Sequence, residues 1–325
     1  MSSKSKEFIE ELLNSAGITI NGSKPYDVQV NNENVYDRIL TGGTLAAGES
    51  YMDGWWDCEA LDQFFDRIFR AKLDQKIKSR HETLWYVLKA RLFNLQKNQR
   101  AYQVGEEHYD VGNELYKAML DKEMTYTCGY WKDAEDLDAA QESKLDLVCR
   151  KINLKPGMTV LDIGCGWGSF AKYAAENYGA KVTGVTVSKE QVELGNRMCR
   201  DLPVDIKYED YRNVKGRYDR VISIGIMEHV GHKNYRTYME TAYDRLKDDG
   251  IAFIHTIGNN ISTDAGNPWT TKYIFPNSML PSIAQLASAM EGLFVMEDWH
   301  NFGPDYDKTL MVWYDNFEKN WPRFK

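Results

Sequence analysis

The chain has 325 residues, 43% of them hydrophobic and 27% charged, a composition that is typical of a globular protein and excludes a disordered or collagen-like one. Its formal net charge of −8 argues against attraction of the whole molecule to nucleic acid or to anionic lipid. The five cysteines form no C-x-x-C pair, which indicates reduced thiols rather than a disulfide framework or a zinc site.

Nothing in the sequence resembles a membrane-targeting or membrane-spanning segment. The charged start Met1–Glu7 and the short apolar stretch after it do not fit the apolar core of a signal peptide. The chain also lacks a run of about 20 apolar residues, the length that a transmembrane helix needs. These features predict a cytoplasmic protein.

Residues 1–60 have the pattern of short helices joined by turns. Apolar residues recur at helical spacing over positions 8–13, and Gly17 is expected to end that helix. The later segment Glu49–Trp56 is dense in aromatic residues, which favours a packed corner.

Residues 67–100 are predicted to form amphipathic helices with a strongly basic character. This segment holds ten Lys or Arg residues and two Asp or Glu residues, a local net charge of +8. Such a run is usually a solvated helix face. The alternative is a surface that contacts anionic phospholipid headgroups, where each cation contributes about 1 kcal/mol. Composition leaves both interpretations open.

Beyond residue 100, short segments rich in Val, Ile and Leu alternate with helical segments. This alternation predicts an α/β fold in which a mostly parallel sheet has helices on both faces. The change in pattern predicts two domains, a mainly helical one over residues 1–100 and a catalytic one over residues 101–325. The predicted strands are Thr159–Ile163, Lys181–Val187, Val204–Tyr208, Arg220–Ile224 and Ile251–Thr256.

The first predicted strand runs into the loop Asp162-x-Gly164-x-Gly166-x-Gly168, after which a helix begins. Glycines at alternate positions let the backbone turn sharply and approach a ligand closely. The spacing differs from the dinucleotide motif G-x-G-x-x-G, and the acid precedes the loop. The pattern fits S-adenosylmethionine (SAM) methyltransferases, in which Asp162 would reach the amino-acid end of SAM.

Polar residues follow the next two predicted strands. Thr186 and Gln191 offer a hydroxyl and an amide at the place where such folds bind ribose hydroxyls. Asp210 then provides an acid, and Tyr211 and Arg212 provide flat groups, at the place where adenine is commonly held. Together with the glycine loop, these residues predict a SAM site.

The chain contains the long motifs Gly48–Trp56, Gln103–Asn113, Tyr126–Trp131, Val160–Gly168, Thr186–Gln191, Ile226–Gly231, Phe253–Gly258 and Trp299–Tyr306. With these motifs it closely resembles cyclopropane-fatty-acyl-phospholipid synthases. The resemblance implies a Rossmann-like class I SAM-dependent methyltransferase sheet with an amino-terminal, mainly helical domain. The mycolic-acid cyclopropane synthases share the catalytic half, and the amino-terminal segment favours the phospholipid enzymes.

The resemblance implies a reaction at cis double bonds of unsaturated phospholipid acyl chains. The alkene would take a methyl group from SAM, and the resulting carbocation would lose a proton to bound bicarbonate as the ring closes. Aromatic faces can stabilise such a cation. The resemblance assigns the bicarbonate and catalytic site to Cys128, Glu228, His255, Ile257 (through its backbone) and Tyr306.

The same resemblance assigns the SAM site. It combines two residues before the sheet with the glycine loop and the polar residues after the second and third strands. The cofactor residues are Tyr126, Thr127, Asp162, Gly164, Gly166, Gly168, Thr186, Gln191, Tyr211 and Arg212.

A phospholipid substrate implies peripheral contact with the inner face of the membrane, and this gives weight to the lipid-contact interpretation of residues 67–100. A two-domain chain also suits a homodimer that binds the membrane at two points. Members of the family usually continue beyond Trp321–Lys325, so the resemblance implies that the chain stops before the usual carboxyl-terminal segment.

Two other functions compete with this interpretation. One is a SAM-dependent N- or O-methyltransferase of a small metabolite, and the other is a lipid-binding module with a vestigial fold, which the intact glycine loop disfavours. The cluster Glu228-His229-x-x-His232 lacks the helical H-E-x-x-H spacing, so no metal is assigned.

Overall fold

A computed structural model describes residues 2–73 and 113–324, which fall into two compact units. The first unit combines residues 2–73 with Asp264–Ile274, and the second combines residues 113–263 with residues 275–324. The predicted domain boundary at residue 100 lies outside the described residues, and so do residues 74–100 of the basic segment. Of the motif Gln103–Asn113, only Asn113 is described.

The first unit is mainly helical, as the sequence predicts. It contains α1 (Ser2–Asn14), α2 (Val35–Met52) and α3 (Leu61–Arg70), with the short strands β1 (Gln29–Val30) and β2 (Trp56–Asp57) paired antiparallel. Helix α2 is kinked at Gly43, where φ is +59°. A core of apolar side chains joins these elements: Ile9, Leu12, Leu13, Ile18, Val28, Val35, Tyr36, Trp56, Cys58, Phe64, Ile68 and Leu73.

The second unit is built on a five-stranded parallel sheet, which confirms the predicted α/β class. Its strand order is β5-β4-β3-β6-β7, and every neighbouring pair is parallel. Two helices, α4 (Asn113–Met119) and α5 (Leu137–Lys151), precede the sheet. The strands are β3 (Thr159–Ile163), β4 (Lys181–Thr186), β5 (Val204–Tyr208), β6 (Tyr218–Ile224) and β7 (Leu246–His255).

Helices cover both faces of this sheet. Side chains of β3 alternate between the faces: Leu161 packs in one core with the helix over 235–245, whereas Val160 packs in the other with α5. The remaining helices are α6 (Ser169–Tyr178), α7 (Lys189–Met198), α8 (Met227–Val230), α9 (Tyr235–Arg245), α10 (Pro268–Tyr273), α11 (Ile283–Met290) and α12 (Asp305–Asn320). No helix among the described residues combines the length and apolar character needed to cross a bilayer.

Helix α10 packs in the first unit, although the sequence-based division placed it in the catalytic domain. The Trp269 indole lies against α2 at Gly48, where an added Cβ would come within 2.4 Å of the Trp269 Cδ1 atom. The Lys272 ammonium forms an ion pair with the Glu49 carboxylate at 2.6 Å, and the Tyr273 hydroxyl donates to the same carboxylate at 2.9 Å. These contacts explain why Asp264–Ile274 belongs to the first unit.

Candidate active site

The loop between β3 and α6 turns through three left-handed positions. Gly164, Gly166 and Gly168 have φ angles of +75°, +57° and +85°, a region that favours glycine. The backbone N–H groups of Gly164 and Cys165 donate to the Val185 carbonyl at 2.8 and 3.1 Å. The loop is therefore fixed to the end of β4.

The three glycines have different surroundings. An added Cβ on Gly164 would come within 1.9 Å of the Ile226 side chain, and one on Gly168 within 2.6 Å of the Ile206 side chain. On Gly166 it would meet no atom of the described residues within 4 Å. Gly168 is not among the residues that line the cavity described next, and its missing side chain leaves room for the Ile206 side chain of β5. Its assignment to the cofactor site stays a prediction.

Nine of the ten residues assigned to the cofactor line one cavity. It lies at the carboxyl ends of β3, β4 and β5, the edge at which parallel α/β sheets bind ligands. The nine are Tyr126, Thr127, Asp162, Gly164, Gly166, Thr186, Gln191, Tyr211 and Arg212.

Polar groups after β4 and β5 are held by local hydrogen bonds. The Thr186 hydroxyl lies 2.5 Å from the Gln191 side-chain oxygen, at the start of α7. The Arg212 guanidinium donates to both oxygens of the buried Asp210 carboxylate at 2.8 and 2.6 Å. Arg212 also lies over the Tyr211 ring, 5.2 Å from its centroid. Asp210 thus fixes Arg212 beside the Tyr211 ring.

Asp162 lies at the end of β3, directly before the glycine loop. It is buried, and its Oδ2 atom has no hydrogen-bond partner among the described residues. Burial raises the pKa of Asp162 to about 7, and the charge of Lys144 acts in the opposite direction. A buried acceptor of this kind needs a donor from a ligand or from water. This acceptor and the open space at Gly166 fit a ligand that carries an ammonium group and approaches the loop backbone.

Glu228 and Ile257 meet directly. Glu228 is on α8, after β6, and its Oε1 atom accepts a hydrogen bond from the Ile257 backbone N–H at 2.7 Å. Its Oε2 atom is buried and has no hydrogen-bond partner in the described part of the chain. Burial raises the pKa of Glu228, while the Ile257 N–H lowers it. The structure therefore places the Ile257 backbone on Glu228.

His255 ends β7 and stacks on Phe302. The two ring centroids are 5.3 Å apart, and the ring planes differ by 5°. Although His255 as a whole is half-buried, its Nδ1 atom is inaccessible and has no hydrogen-bond partner among residues 113–324. Burial lowers the pKa of His255 to about 3, and the charge of Lys144 adds to this effect. His255 is therefore neutral at pH 7.

Cys128 and Tyr306 come together because the segment after Cys128 binds α12. The Gly129 backbone N–H and the Trp131 indole N–H donate to the Thr309 hydroxyl at 3.1 and 2.9 Å. Burial raises the pKa of the Cys128 thiol to about 11, so the thiol is protonated and is not a nucleophile. Burial also raises the pKa of Tyr306, together with its electrostatic interactions with Glu228 and Cys128.

Comparison with known proteins defines the family. Residues 96–325 match the family "Mycolic acid cyclopropane synthetase". The chain is also 51% identical, over 312 residues, to cyclopropane-fatty-acyl-phospholipid synthase of Escherichia coli K12, and the match covers 96% of this chain and 82% of that protein.

The chain belongs to the cyclopropane synthase family. It is thus a SAM-dependent enzyme with a class I methyltransferase fold. Solved structures of the family are similar to it. The cyclopropane synthase MmaA2 from Mycobacterium tuberculosis has a TM-score of 0.64 at 27% identity, covering 67% of this chain and 84% of its own. The mycolic acid cyclopropane synthase CmaA1, complexed with SAH and CTAB, has a TM-score of 0.63 at 29% identity, covering 68% and 85%.

Two buried polar residues next to the site are not among those predicted from the sequence. Gln141 and Lys144 are buried on α5, and Lys144 lines the same cavity as the predicted cofactor residues. Both lie on the stripe of α5 that also buries Leu145 and Val148. The sequence signal for these residues is a pair of polar side chains on an apolar helix face. Burial of such side chains costs free energy unless they have hydrogen-bond partners.

No group of three or more His, Cys, Asp or Glu residues in the described parts of the chain is arranged to hold a metal ion. In the cluster after β6, the Nδ1 atom of His232 lies 3.4 Å from the Met279 sulfur. Glu228 instead bonds to the Ile257 backbone.

Proposed function

We propose that this chain is a cyclopropane-fatty-acyl-phospholipid synthase, which adds a methylene group to cis double bonds of unsaturated phospholipid acyl chains. The supporting observation is the 51% identity to the E. coli enzyme, which extends over 96% of the chain. That match includes the amino-terminal unit, whereas the mycolic acid family match begins at residue 96.

The cavity after β3, β4 and β5 is the proposed SAM site. Asp162 Oδ2, which has no partner among the described residues, would accept a hydrogen bond from the ammonium group at the amino-acid end, and the loop backbone at Gly166 leaves room for close approach. Thr186, Gln191 and Tyr211 line the same cavity. Thr186 and Gln191 would bind the ribose hydroxyls, and Tyr211 would offer a flat ring to adenine. When bound, SAM supplies an electrophilic methyl group on a sulfonium.

Aromatic rings beside the cavity provide the dry wall that the reaction needs. Tyr126 contacts Tyr116 and Trp313, with ring centroids 5.3 and 5.2 Å apart, and Tyr116 contacts Trp167 of the glycine loop at 4.9 Å. An alkene that takes a methyl group becomes a carbocation, and a desolvated aromatic face can stabilise a cation by about 2 kcal/mol. The rings also exclude water that would capture the cation.

The last step removes a proton from the transferred methyl group as the second carbon–carbon bond closes the ring. The proposed base is bicarbonate, held by Cys128, Glu228, His255, Ile257 and Tyr306. Tyr306 donates from its hydroxyl, and neutral His255 donates from one ring nitrogen. The raised pKa of Glu228 lets that residue share a proton with the anion, which removes the repulsion between two negative charges. The Ile257 N–H bonds to the Glu228 carboxylate, so the Ile257 backbone also holds Glu228 in place.

The phospholipid substrate extends the proposal to the membrane. The basic segment 67–100 would contact anionic headgroups at the inner face of the membrane. A homodimer would add a second point of contact and increase retention. Sedimentation of the whole chain tests the dimer, and a monomer at all micromolar concentrations would contradict it.

The deciding experiment is an incubation of the chain with labelled SAM and vesicles of unsaturated phospholipid, followed by mass analysis of the acyl chains. We expect a gain of one CH2 per modified chain and no label in vesicles of saturated phospholipid. Label that appears only in soluble amines or alcohols would contradict the proposal and favour an N- or O-methyltransferase.

A further inference from the structure

Two buried polar side chains of helix α5 donate hydrogen bonds to the segment 125–128. Gln141 donates from Nε2 to the Thr127 carbonyl at 2.7 Å and to the Thr125 carbonyl at 3.4 Å. Lys144 donates from Nζ to the Thr127 hydroxyl at 2.8 Å. This segment carries Tyr126 and Thr127 of the proposed cofactor site and Cys128 of the proposed bicarbonate site.

The buried ammonium group of Lys144 does not favour the stability of the fold. Lys144 is 2% exposed, and taking an ammonium group out of water costs several kcal/mol unless it is paired. Burial accordingly lowers the pKa of Lys144 to about 8. An apolar side chain would suit the stripe on which Leu145 and Val148 lie. The retained charge therefore points to a role in the site.

Two buried carboxylates interact with this ammonium group. Asp121 accepts from the Thr125 backbone N–H at 2.7 Å and so holds the start of the same segment. Asp162 lies before the glycine loop, and both carboxylates attract the charge of Lys144. Among the described residues, the other titratable groups that interact with Lys144 are the protonated thiol of Cys128 and the neutral ring of His255.

The charges of Asp121, Asp162 and Lys144 together favour the binding of a cationic ligand. With both carboxylates and the ammonium group ionised, the buried set carries one net negative charge. SAM carries one net positive charge, because its sulfonium adds to a zwitterionic amino acid. Lys144 also lines the cavity, so its charge acts directly on what binds there.

We infer that Lys144 is a positioning residue of the cofactor site, with two effects. Through Thr127 it fixes the segment that carries Tyr126 and Cys128, and through its charge it keeps Asp162 ionised for the ammonium group of SAM. The inference rests on the proposed function in one respect, that the cavity binds SAM.

The test is the affinity of the whole chain for SAM, measured by calorimetry between pH 6 and 9. The variants are Lys144→Met, which removes charge and hydrogen bond, and Lys144→Gln, which keeps a donor without charge. In both, the pH at which affinity reaches half its maximum should rise by about one unit, and affinity at pH 7 should fall about fivefold, because Asp162 would change from about half ionised to about one-tenth ionised at that pH.

The matched control is Gln141→Leu, on the same buried face of α5. It removes two hydrogen bonds to the segment and leaves the charge, so affinity should fall without a change in its pH dependence. If Lys144→Met does not fold by circular dichroism, Lys144→Gln carries the test. If SAM affinity of a folded Lys144 variant depends on pH as in the wild type, the inference is wrong and the proposed function is unaffected. If the wild-type chain does not bind SAM, the proposed function is wrong as well.

Discussion

Glu228 accepts a hydrogen bond from the Ile257 backbone N–H on one carboxylate oxygen, while its other oxygen is buried without a partner among the described residues. One half of the side chain therefore fixes its position, and the other half is left for chemistry. This division makes the two roles of Glu228 separable by substitution.

Replacing Glu228 by Gln keeps an acceptor for the Ile257 N–H and removes the group that shares a proton. We expect SAM binding to remain and turnover to fall at least about 100-fold, the lower range for loss of a general acid–base. Calorimetry with SAM and the vesicle assay measure the two effects. A loss of SAM affinity with turnover retained at saturation would place Glu228 in the cofactor site instead.

Replacing Gly166 by Ala tests the open face of the glycine loop. The added methyl group enters space that the cofactor needs, so SAM affinity should fall, and the left-handed backbone should cost about 1 kcal/mol of stability. Gly157→Ala is the matched control, because Gly157 also has a positive φ and no described atom within 4 Å of an added Cβ, but lies outside the cavity lining.

Gly157→Ala should lower the melting temperature similarly and leave SAM affinity intact. Gly168→Ala should destabilise the chain more than either, because its Cβ would lie 2.6 Å from the Ile206 side chain. Equal SAM affinities for the wild type and Gly166→Ala would show that the cofactor does not approach this loop.

Asp162→Asn should make the chain more stable at pH 8 and weaken SAM binding. The pKa of Asp162 is raised by burial from 3.8 to about 7, so the folded state loses stability as pH rises from about 4 to 7 and does not recover above it. The amide removes that penalty, which is at most about 4 kcal/mol. Denaturant unfolding at pH 5 and pH 8 measures it: the gain in stability should be clearly larger at pH 8 than at pH 5, and an equal effect at both values would refute the assignment.

Vesicles of anionic phospholipid should bind the chain, and salt should weaken the binding. The Debye length is about 8 Å at 0.15 M salt, so contacts between exposed charges and headgroups are screened. The double substitution Lys76→Gln, Lys78→Gln should weaken vesicle binding about thirtyfold, because each cation near the surface contributes about 1 kcal/mol. The control pair, Lys155→Gln with Lys215→Gln, makes the same net charge change outside 67–100. Binding that is indifferent to salt and headgroup charge would leave the basic segment as a solvated face.

The sheet could be predicted from sequence because buried parallel strands are continuous apolar runs. Strands β3 and β5 have the predicted bounds, whereas β7 begins at Leu246 rather than Ile251. Near the start of β7, Lys247–Gly250 consists of three charged residues and a glycine. The hydropathy of this stretch therefore does not indicate a strand. The pairing of Leu246 with Tyr218 on β6 fixes it there.

Much of the candidate site could also be predicted, because its residues follow strands whose ends meet at one edge of the sheet. For Gly168, spacing does not show whether the missing side chain makes room for a ligand or for Ile206. Lys144 was missed because its partner Thr127 is 17 residues away along the chain, and a lysine in a helix normally indicates an exposed face. Such contacts exist only once α5 packs on the sheet.

The position of Trp269 and its neighbours has a consequence for synthesis of the protein. The amino-terminal unit takes Asp264–Ile274 from a point between β7 and α11, so its last component leaves the ribosome only after the whole parallel sheet. A polypeptide cut at residue 100 would leave Gly48 and Glu49 without the indole and the ammonium group that meet them. The amino-terminal unit of a nascent chain therefore lacks the contacts of Trp269 and Lys272 with α2 until most of the message has been translated.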